Sequence, residues 1–246
     1  MTCVIGYRDP KNGRVYIGTD SCGGNLALGR QFTRKDRKVF KLRDDEDTLI
    51  GFCGSFRMGQ LLMRAEGLLE EPILEDLTEE DLEDLTEEEL EEIEGKEDSA
   101  QKVTYQKVEE VNFDTMVDVF IPNSINLLME GGFAVQSENG IEGGVFLVAN
   151  KDKLFRIDGD FQVGEYEDDF IAVGSGETFA YGALEALKNT RMPIPKRIEI
   201  ALKAAAKYAM GVQGPFIIMN TADNEVIEVK HELSSSEAYF RKPLRR

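Results

Sequence analysis

The order of strand-like and helix-like segments most strongly limits the fold of this chain. Strand-like runs separated by turn signals come first, and two helical patterns follow. Four more strand-like runs, two further helical patterns and a last hairpin complete the chain. Antiparallel strands with helices in pairs predict an α+β fold, a four-layer αββα sandwich of two antiparallel sheets between two helix layers. No domain break is evident along the chain, so we expect a single domain over 1–246, with an acidic insertion at about 70–100.

The predicted elements can be quoted directly from the sequence. The strand-like runs are TCVIGYR and RVYIGTDS around the turn DPKNG, KVFKL and TLIGFCGS around RDDED, then GGVFLVAN, KLFRIDG, DFQVGEY and DFIAVGSG, and finally PFIIMNT and NEVIEVK. Helical spacing covers 56–69, 112–129 with Pro122 inside it, ETFAYGALEALKN, and PKRIEIALKAAAKYAMG, which begins at a proline and stops at Gly211.

The acidic insertion carries most of the net charge of −18, because 17 acidic residues and one lysine, Lys96, lie between Glu70 and Asp98. It contains the repeat LTEEDLED and LTEEELEE, and each copy begins with the Thr-x-x-acid pattern of a helix capping box. We therefore predict two short acidic helices, or one frayed helix, exposed on a loop excursion. Two interpretations stay open at this point, a solvated insertion without a partner and a docking surface for a basic partner.

Composition also bears on the cellular setting. The net charge argues against nucleic-acid binding through phosphates. Apolar runs such as FIIM and VFLVA are too short to span a bilayer, and the start of the chain has no secretory signal. The three cysteines, Cys3, Cys22 and Cys53, have no pairing pattern. We expect a reduced, cytoplasmic protein that binds neither membrane nor nucleic acid.

Histidine chemistry is poorly supported. The single histidine, His231, lies in the polar stretch VKHELSSS, which has no nucleophile signature, so we expect a surface residue. Metal sites built on histidines or paired cysteines are likewise unsupported, and we expect neither a metal nor a cofactor. The turn GSGETF resembles a phosphate-binding glycine turn but lacks the P-loop lysine and spacing.

A threonine at the start of a chain is a nucleophile that needs no histidine. Its own α-amine can act as general base, and an unperturbed α-amine has a pKa of about 7.7–8, near working pH. Thr2 follows Met1 directly, so removal of Met1 would create such an end. A nearby lysine would stabilise the deprotonated hydroxyl, an aspartate would hold that lysine, and main-chain amides at a glycine turn would stabilise an oxyanion.

These residues resemble the proteasome β-subunit group, most closely the HslV-type peptidases, which are N-terminal-nucleophile hydrolases. The resemblance runs through MTCVIGYRD and GRVYIGTDS, then DRKVFKL, IGFCGS and IAVGSGETFAYGALEAL. It covers most of the chain except the acidic insertion. It implies a threonine-type endopeptidase of a self-compartmentalising complex, a homo-oligomeric ring, an ATP-dependent unfoldase as partner, and a peptide or unfolded protein as substrate.

The resemblance also assigns roles residue by residue. It implies that Thr2 is the nucleophile, that Lys38 is the active-site lysine and that Asp20 orients it. It further implies an oxyanion-binding N–H at Gly54, a proton-relaying hydroxyl at Ser175, and a restricted substrate pocket shaped by Phe52.

Two positions depart from the family pattern. The stretch AKYAMGVQG has Lys207 and Met210 where active members carry an aspartate and a small polar residue near the terminal amine. The departures leave an alternative open, in which the chain is a catalytically inactive proteasome-like structural or scaffold subunit whose acidic insertion docks a partner.

Overall fold

The computed structural model describes residues 2–25, 30–76, 101–137 and 140–230. The first half contains strands β1 (Val4–Asp9), β2 (Arg14–Thr19), β3 (Cys22–Asn25), β4 (Arg30–Thr33), β5 (Val39–Lys41), β6 (Thr48–Phe52), β7 (Glu70–Asp76) and β8 (Gln101–Lys107). The second half contains β9 (Val135–Ser137), β10 (Gly140–Glu142), β11 (Phe146–Asn150), β12 (Lys153–Ile157), β13 (Val163–Glu165), β14 (Phe170–Val173), β15 (Phe216–Asn220) and β16 (Ile227–Val229).

Four helices accompany the strands in the described ranges. Helix α1 spans Phe56–Arg64, α3 spans Glu177–Leu187 and α4 spans Ile194–Tyr208. Helix α2 is built of three consecutive segments, an α-helical Phe113–Thr115, a π-helical Met116–Phe120 and an α-helical Ile121–Glu130. None of the described helices has the length and apolar character needed to cross a membrane.

Two five-stranded antiparallel sheets form the centre of the molecule. The first has the strand order β14-β1-β2-β15-β16 and the second the order β13-β12-β11-β6-β5. Helices α3 and α4 pack on the first sheet, and α1 and α2 pack on the second. The predicted four-layer αββα sandwich is confirmed.

Side-chain alternation explains why both faces of each sheet are buried. On β1, Val4 faces the layer between the sheets, whereas Ile5 and Tyr7 face the helices. On β11, Leu147 faces the layer between the sheets and Phe146 faces the helices. Successive side chains of a strand point to opposite faces, so a continuous apolar run is what a doubly covered strand requires.

Several expectations need correction. The first helix ends at Arg64 and not at Leu69, because the chain turns at Gly67, although Leu69 is still buried in the core. The hairpins β3–β4 and β9–β10 were not anticipated, since their strands are short and rich in glycine or polar residues. Pro122 does not disrupt α2, because the wider π-helical segment ends at Phe120 and the proline then occupies the first turn of the next segment, which begins at Ile121.

The acidic insertion begins in a strand. Residues 70–76 form β7 and pair antiparallel with β8, from Glu70 opposite Lys107 to Asp76 opposite Gln101. The chain segments on the two sides of 77–100 therefore lie side by side in a two-stranded ribbon. The two predicted acidic helices, within 77–92, and His231 lie outside the described residues.

The contact between the sheets depends on small residues, and this gives the first prediction. A Cβ at Gly51 would lie 2.6 Å from Ile17 Cγ2 and 2.8 Å from Val4 Cγ1, whereas a Cβ at Gly182 would meet nothing within 4 Å. Gly51→Ala should lower the free energy of unfolding by about 1–3 kcal/mol through overpacking. Gly182→Ala, within α3, should raise it by up to about 1 kcal/mol. Denaturant unfolding measures both, and equal effects of the two variants would contradict the packing described.

Candidate active site

The ends of several strands meet beside Thr2. Only Cys3 separates this residue from the start of β1, Asp20 directly follows β2, and Gly174 directly follows β14. Val4 lies opposite both Thr19 and Val173, so the three chain segments are neighbours in the first sheet.

The second sheet supplies the remaining segments. Lys38 directly precedes β5 and Cys53 directly follows β6. The main-chain N–H of Phe52 donates to the Lys38 carbonyl at 3.0 Å, which extends the pairing of β5 and β6 to the site. The site thus lies at one end of the two sheets, where strands of both sheets begin or end.

A buried lysine connects the two sheets. Lys38 Nζ donates to Thr2 Oγ1 at 2.6 Å and to the two carboxylate oxygens of Asp20 at 3.0 and 3.1 Å. Each of the three residues is only 1% exposed. A lysine ammonium loses several kcal/mol of hydration when it is buried, so it needs the adjacent carboxylate to remain charged.

The Asp20 carboxylate is fixed by the main chain. The N–H groups of Cys3, Cys22 and Gln213 donate to its oxygens at 3.0, 2.8 and 3.5 Å. Burial raises the pKa of the Asp20 carboxyl above its ordinary value, while Lys38 and the Cys3 and Cys22 N–H groups oppose that rise. The orientation of this carboxylate is therefore set by the fold.

A glycine-rich turn before α3 encloses the main chain of Thr2. Thr2 N donates to Ser175 Oγ at 3.2 Å, and Gly176 N donates to the Thr2 carbonyl at 3.3 Å. Ser175 Oγ also lies 3.4 Å from the carbonyl oxygens of Thr2 and Met210. Gly174 has a φ of +97°, and a Cβ there would lie 2.4 Å from the Thr2 carbonyl oxygen. Only glycine fits this approach.

Gly54 lies in the turn that follows β6. Its φ is +89°, a left-handed conformation that favours glycine. Its neighbour Cys53 is packed close to Thr2, because a Cβ at Gly174 would lie 3.4 Å from Cys53 Cβ and 2.4 Å from the Thr2 carbonyl oxygen. Five of the predicted site residues are therefore brought into one region.

Phe52 is buried and does not form the wall of an open pocket. It is 2% exposed and packs in the core under α1, where Gly59 leaves room for its ring. Phe56, the first residue of α1, contacts Phe52 edge-on at 5.7 Å between ring centroids. The Phe56 ring also lies 5.7 Å from Lys38 Nζ and 3.9 Å from the Arg34 guanidinium carbon. The aromatic group beside the lysine is thus Phe56, with Phe52 behind it.

The two positions that depart from the family pattern lie at the end of α4. Lys207 is exposed, and its Nζ lies 5.3 Å from the Tyr208 ring centroid. The Met210 side chain is 66% exposed, and the residue contacts Ser175 through its carbonyl oxygen. A main-chain acceptor at residue 210 therefore reaches Ser175 without a polar side chain.

The two thiols near Thr2, those of Cys3 and Cys53, are poor candidates for the nucleophile. Burial raises the pKa of Cys53 to about 11 and raises that of Cys3 further still, so both are protonated near neutral pH. In the described part of the chain, no group of three or more His, Cys, Asp or Glu residues is arranged to hold a metal ion.

Sequence reasoning missed the contributions that have no motif. The N–H groups on Asp20 and the Met210 carbonyl belong to the main chain, which any residue type supplies. One sequence signal pointed to Phe56, since it is the large apolar residue directly after the turn Gly54–Ser55. Nothing in the sequence indicated that Arg34 stacks on it, because Arg34 directly follows the unanticipated β3–β4 hairpin.

Comparison with known proteins points to one family. A family model described as proteasome subunit matches residues 93–213. The ATP-dependent protease subunit HslV of Petrotoga mobilis is 35% identical over 86 residues, which are 35% of this chain and 44% of that protein. The subunit of the same name from Cytophaga hutchinsonii is 33% identical over 76 residues, 30% of this chain and 42% of that protein. The family model and both relatives support a proteasome β-subunit and HslV-type family.

Solved structures share the fold. Thiobacillus denitrificans BPH in complex with epoxomicin superposes with a TM-score of 0.58 at 16% identity, covering 94% of this chain and 100% of that one. Eukaryotic HslV from Trypanosoma brucei gives a TM-score of 0.53 at 18% identity, covering 89% and 98%. The αββα sandwich is therefore the N-terminal-nucleophile hydrolase fold. The chain spans less than half the length of the two HslV relatives it matches in sequence.

The buried ion pair gives the second prediction. Asp20→Asn leaves the Lys38 ammonium buried without a counter-charge and should lower the free energy of unfolding by about 3–5 kcal/mol. The exposed pair Arg43–Glu66, 2.9 Å apart, provides the control, and Glu66→Gln should cost less than about 1 kcal/mol.

The double variant Asp20→Asn, Lys38→Met separates the pair from its parts. Because it removes both charges, it should be less destabilised than the sum of the two single variants. Strict additivity in denaturant unfolding would contradict a direct, buried interaction.

Proposed function

We propose that this protein is a threonine-type endopeptidase in which Thr2, once it is the first residue of the mature chain, attacks the peptide bond. The observation that carries the proposal is the 2.6 Å contact between Lys38 Nζ and Thr2 Oγ1, with Asp20 on the same ammonium. The cost of burying the Lys38 ammonium beside Thr2 is difficult to explain if Thr2 has only a structural role.

The proposed reaction has two stages. In the first, Thr2 Oγ1 gives its proton to the Thr2 α-amine and bonds to the substrate carbonyl carbon, while Lys38 stabilises the developing negative charge on Oγ1. The tetrahedral intermediate collapses, the peptide C–N bond breaks, and the leaving amine takes the proton from the α-amine. An ester between Thr2 and the acyl part of the substrate remains. In the second stage the α-amine takes a proton from water as the water bonds to the ester carbon. The bond from that carbon to Thr2 Oγ1 then breaks, the acid is released, and the ammonium returns the proton to Oγ1.

Two further roles belong to the same proposal. The N–H of Gly54 would donate to the oxyanion of the tetrahedral intermediate. The left-handed turn at Gly54 supports this role, since it directly follows Cys53, which packs close to Thr2. Ser175 would exchange protons with the Thr2 amine, since its Oγ lies 3.2 Å from Thr2 N. The Met210 carbonyl, 3.4 Å from Ser175 Oγ, would take part of the place of a polar side chain.

We further propose that the chain works in the cytoplasm as one domain with its acidic insertion, within a self-assembled homo-oligomeric ring supplied with unfolded protein by an ATP-dependent unfoldase. The names of the two HslV relatives support this association, because both are ATP-dependent protease subunits.

A catalytically inactive scaffold subunit is the second candidate. The observation in its favour is the end of α4, where Lys207 and Met210 offer neither a carboxylate nor a hydroxyl to the site. In that case the acidic insertion, carried on the ribbon β7–β8, would be the functional part and would bind a basic partner.

The third prediction tests the nucleophile. Protein that begins at Thr2 should hydrolyse unfolded protein and short peptide esters or amides, and Thr2→Ala should reduce kcat/KM by at least about 1,000-fold. Thr2→Ser keeps a hydroxyl and an α-amine and should retain a measurable part of the activity. Intact-mass measurement establishes which residue is first in each preparation.

The inactive-scaffold alternative predicts a different set of results. Protein that begins at Thr2 and is assembled into its ring would then hydrolyse nothing above the Thr2→Ala background. Equal activity of wild type and Thr2→Ala would also refute the proposal.

The fourth prediction concerns substrate choice, for which we propose that Phe52 and Phe56 restrict the pocket beside Lys38. Phe56→Ala should raise kcat/KM for substrates with large side chains relative to small ones, because it removes the ring next to the lysine. Phe52→Ala should lower the free energy of unfolding by about 3–5 kcal/mol, since its ring fills the core under α1. Unchanged preference in Phe56→Ala would contradict the restricted pocket.

A further inference from the structure

A carboxylate follows directly on the turn that encloses Thr2. Glu177 is the first residue of α3, and its N–H donates to the Gly174 carbonyl at 3.0 Å. The preceding N–H, of Gly176, donates to the Thr2 carbonyl at 3.3 Å. The main chain of Glu177 is therefore fixed relative to that of Thr2, and the mechanism proposed above makes no use of its side chain.

The charge of Glu177 affects two residues near Thr2, Cys3 and Cys53. Burial is the main cause of the raised pKa of Cys3 and of Cys53. The Glu177 carboxylate adds to the rise at both thiols, after the larger effects of Asp20, which raises the pKa of Cys3, and of Lys38, which lowers the pKa of both. Cys3 is the next residue after Thr2, and Cys53 packs against the turn that holds it. A charge that acts on both neighbours also acts on a charge placed at Thr2 N.

The other charged groups near Thr2 have partners of their own, and Lys38 also contacts Thr2 Oγ1 at 2.6 Å. Asp20 and Lys38 neutralise each other at 3.0 Å. Arg156, which influences Cys53 and Glu177, donates from Nε to Asp158 at 2.8 Å. The ammonium of Lys207 is exposed and lies over the Tyr208 ring. Within the described residues, Glu177 forms no ion pair of its own.

We propose that Glu177 is a positioning residue that sets the protonation of the Thr2 α-amine, by stabilising its ammonium form. The proposal rests on the proposed function in one respect, that Thr2 is the first residue of the mature chain. The ammonium and Glu177 attract each other, so the carboxylate keeps the amine protonated to a higher pH. It supplies from the start of α3 a negative charge that the end of α4, with Lys207 and Met210, does not supply.

Glu177→Gln tests the proposal, with Glu185→Gln as the matched control. Glu185 lies on the same helix and pairs with Lys188 at 2.6 Å on its exposed side. Full-length protein that begins at Thr2, released from a cleavable fusion, is labelled with acetic anhydride over a range of pH. Mass spectrometry of the N-terminal peptide then gives the fraction of acetylated Thr2 amine at each pH, and hence its pKa.

The expected result is a pKa of the Thr2 amine lower by about 0.5–1 unit in Glu177→Gln, with no change in Glu185→Gln. In an active enzyme the acidic limb of the kcat/KM profile should move to lower pH by the same amount. An unchanged pKa, a rise, or an equal shift in both variants would overturn the role of Glu177. Labelling requires no catalysis, so it remains readable if the peptidase proposal fails.

Discussion

The buried contact between Lys38 and Asp20 is the interaction on which the rest of the site depends. Asp20 follows β2 of the first sheet and Lys38 precedes β5 of the second, so the contact joins the two sheets. The Lys38 ammonium also contacts Thr2 Oγ1. A charge pair of this kind adds little net stability compared with an apolar pair of the same size, because both groups lose their hydration. Its presence is therefore better explained by chemistry at Thr2 than by the needs of the fold.

The layered architecture could be predicted because both faces of the central strands are apolar and the helical patterns occur in pairs. Runs such as VFLVA, now β11, place alternate side chains in two different cores. The hairpins β3–β4 and β9–β10 could not be predicted, since short strands with glycine and polar residues carry no alternation of hydrophobicity. The end of α1 was also missed, because Leu68 and Leu69 continue the apolar pattern while the chain has already turned at Gly67.

The candidate site could be predicted only where side chains carry the chemistry. Thr2, Asp20 and Lys38 are far apart in sequence, and the family resemblance rather than any spacing rule suggested that they meet. The main-chain N–H groups on Asp20 and the Met210 carbonyl near Ser175 leave no trace in residue types. Phe52 has the expected size, but only the packing of α1 reveals that its ring lies behind Phe56.

The central claim is that Thr2 reacts through its hydroxyl and its α-amine together. The most direct measurement is peptide mapping of protein that begins at Thr2 after reaction with a peptide epoxyketone, a reagent that engages both groups. The account predicts one adduct per chain, located on Thr2, and its loss in Lys38→Ala. An adduct on Cys3 or Cys53 instead, or no adduct on assembled protein with a free Thr2 amine, would contradict it.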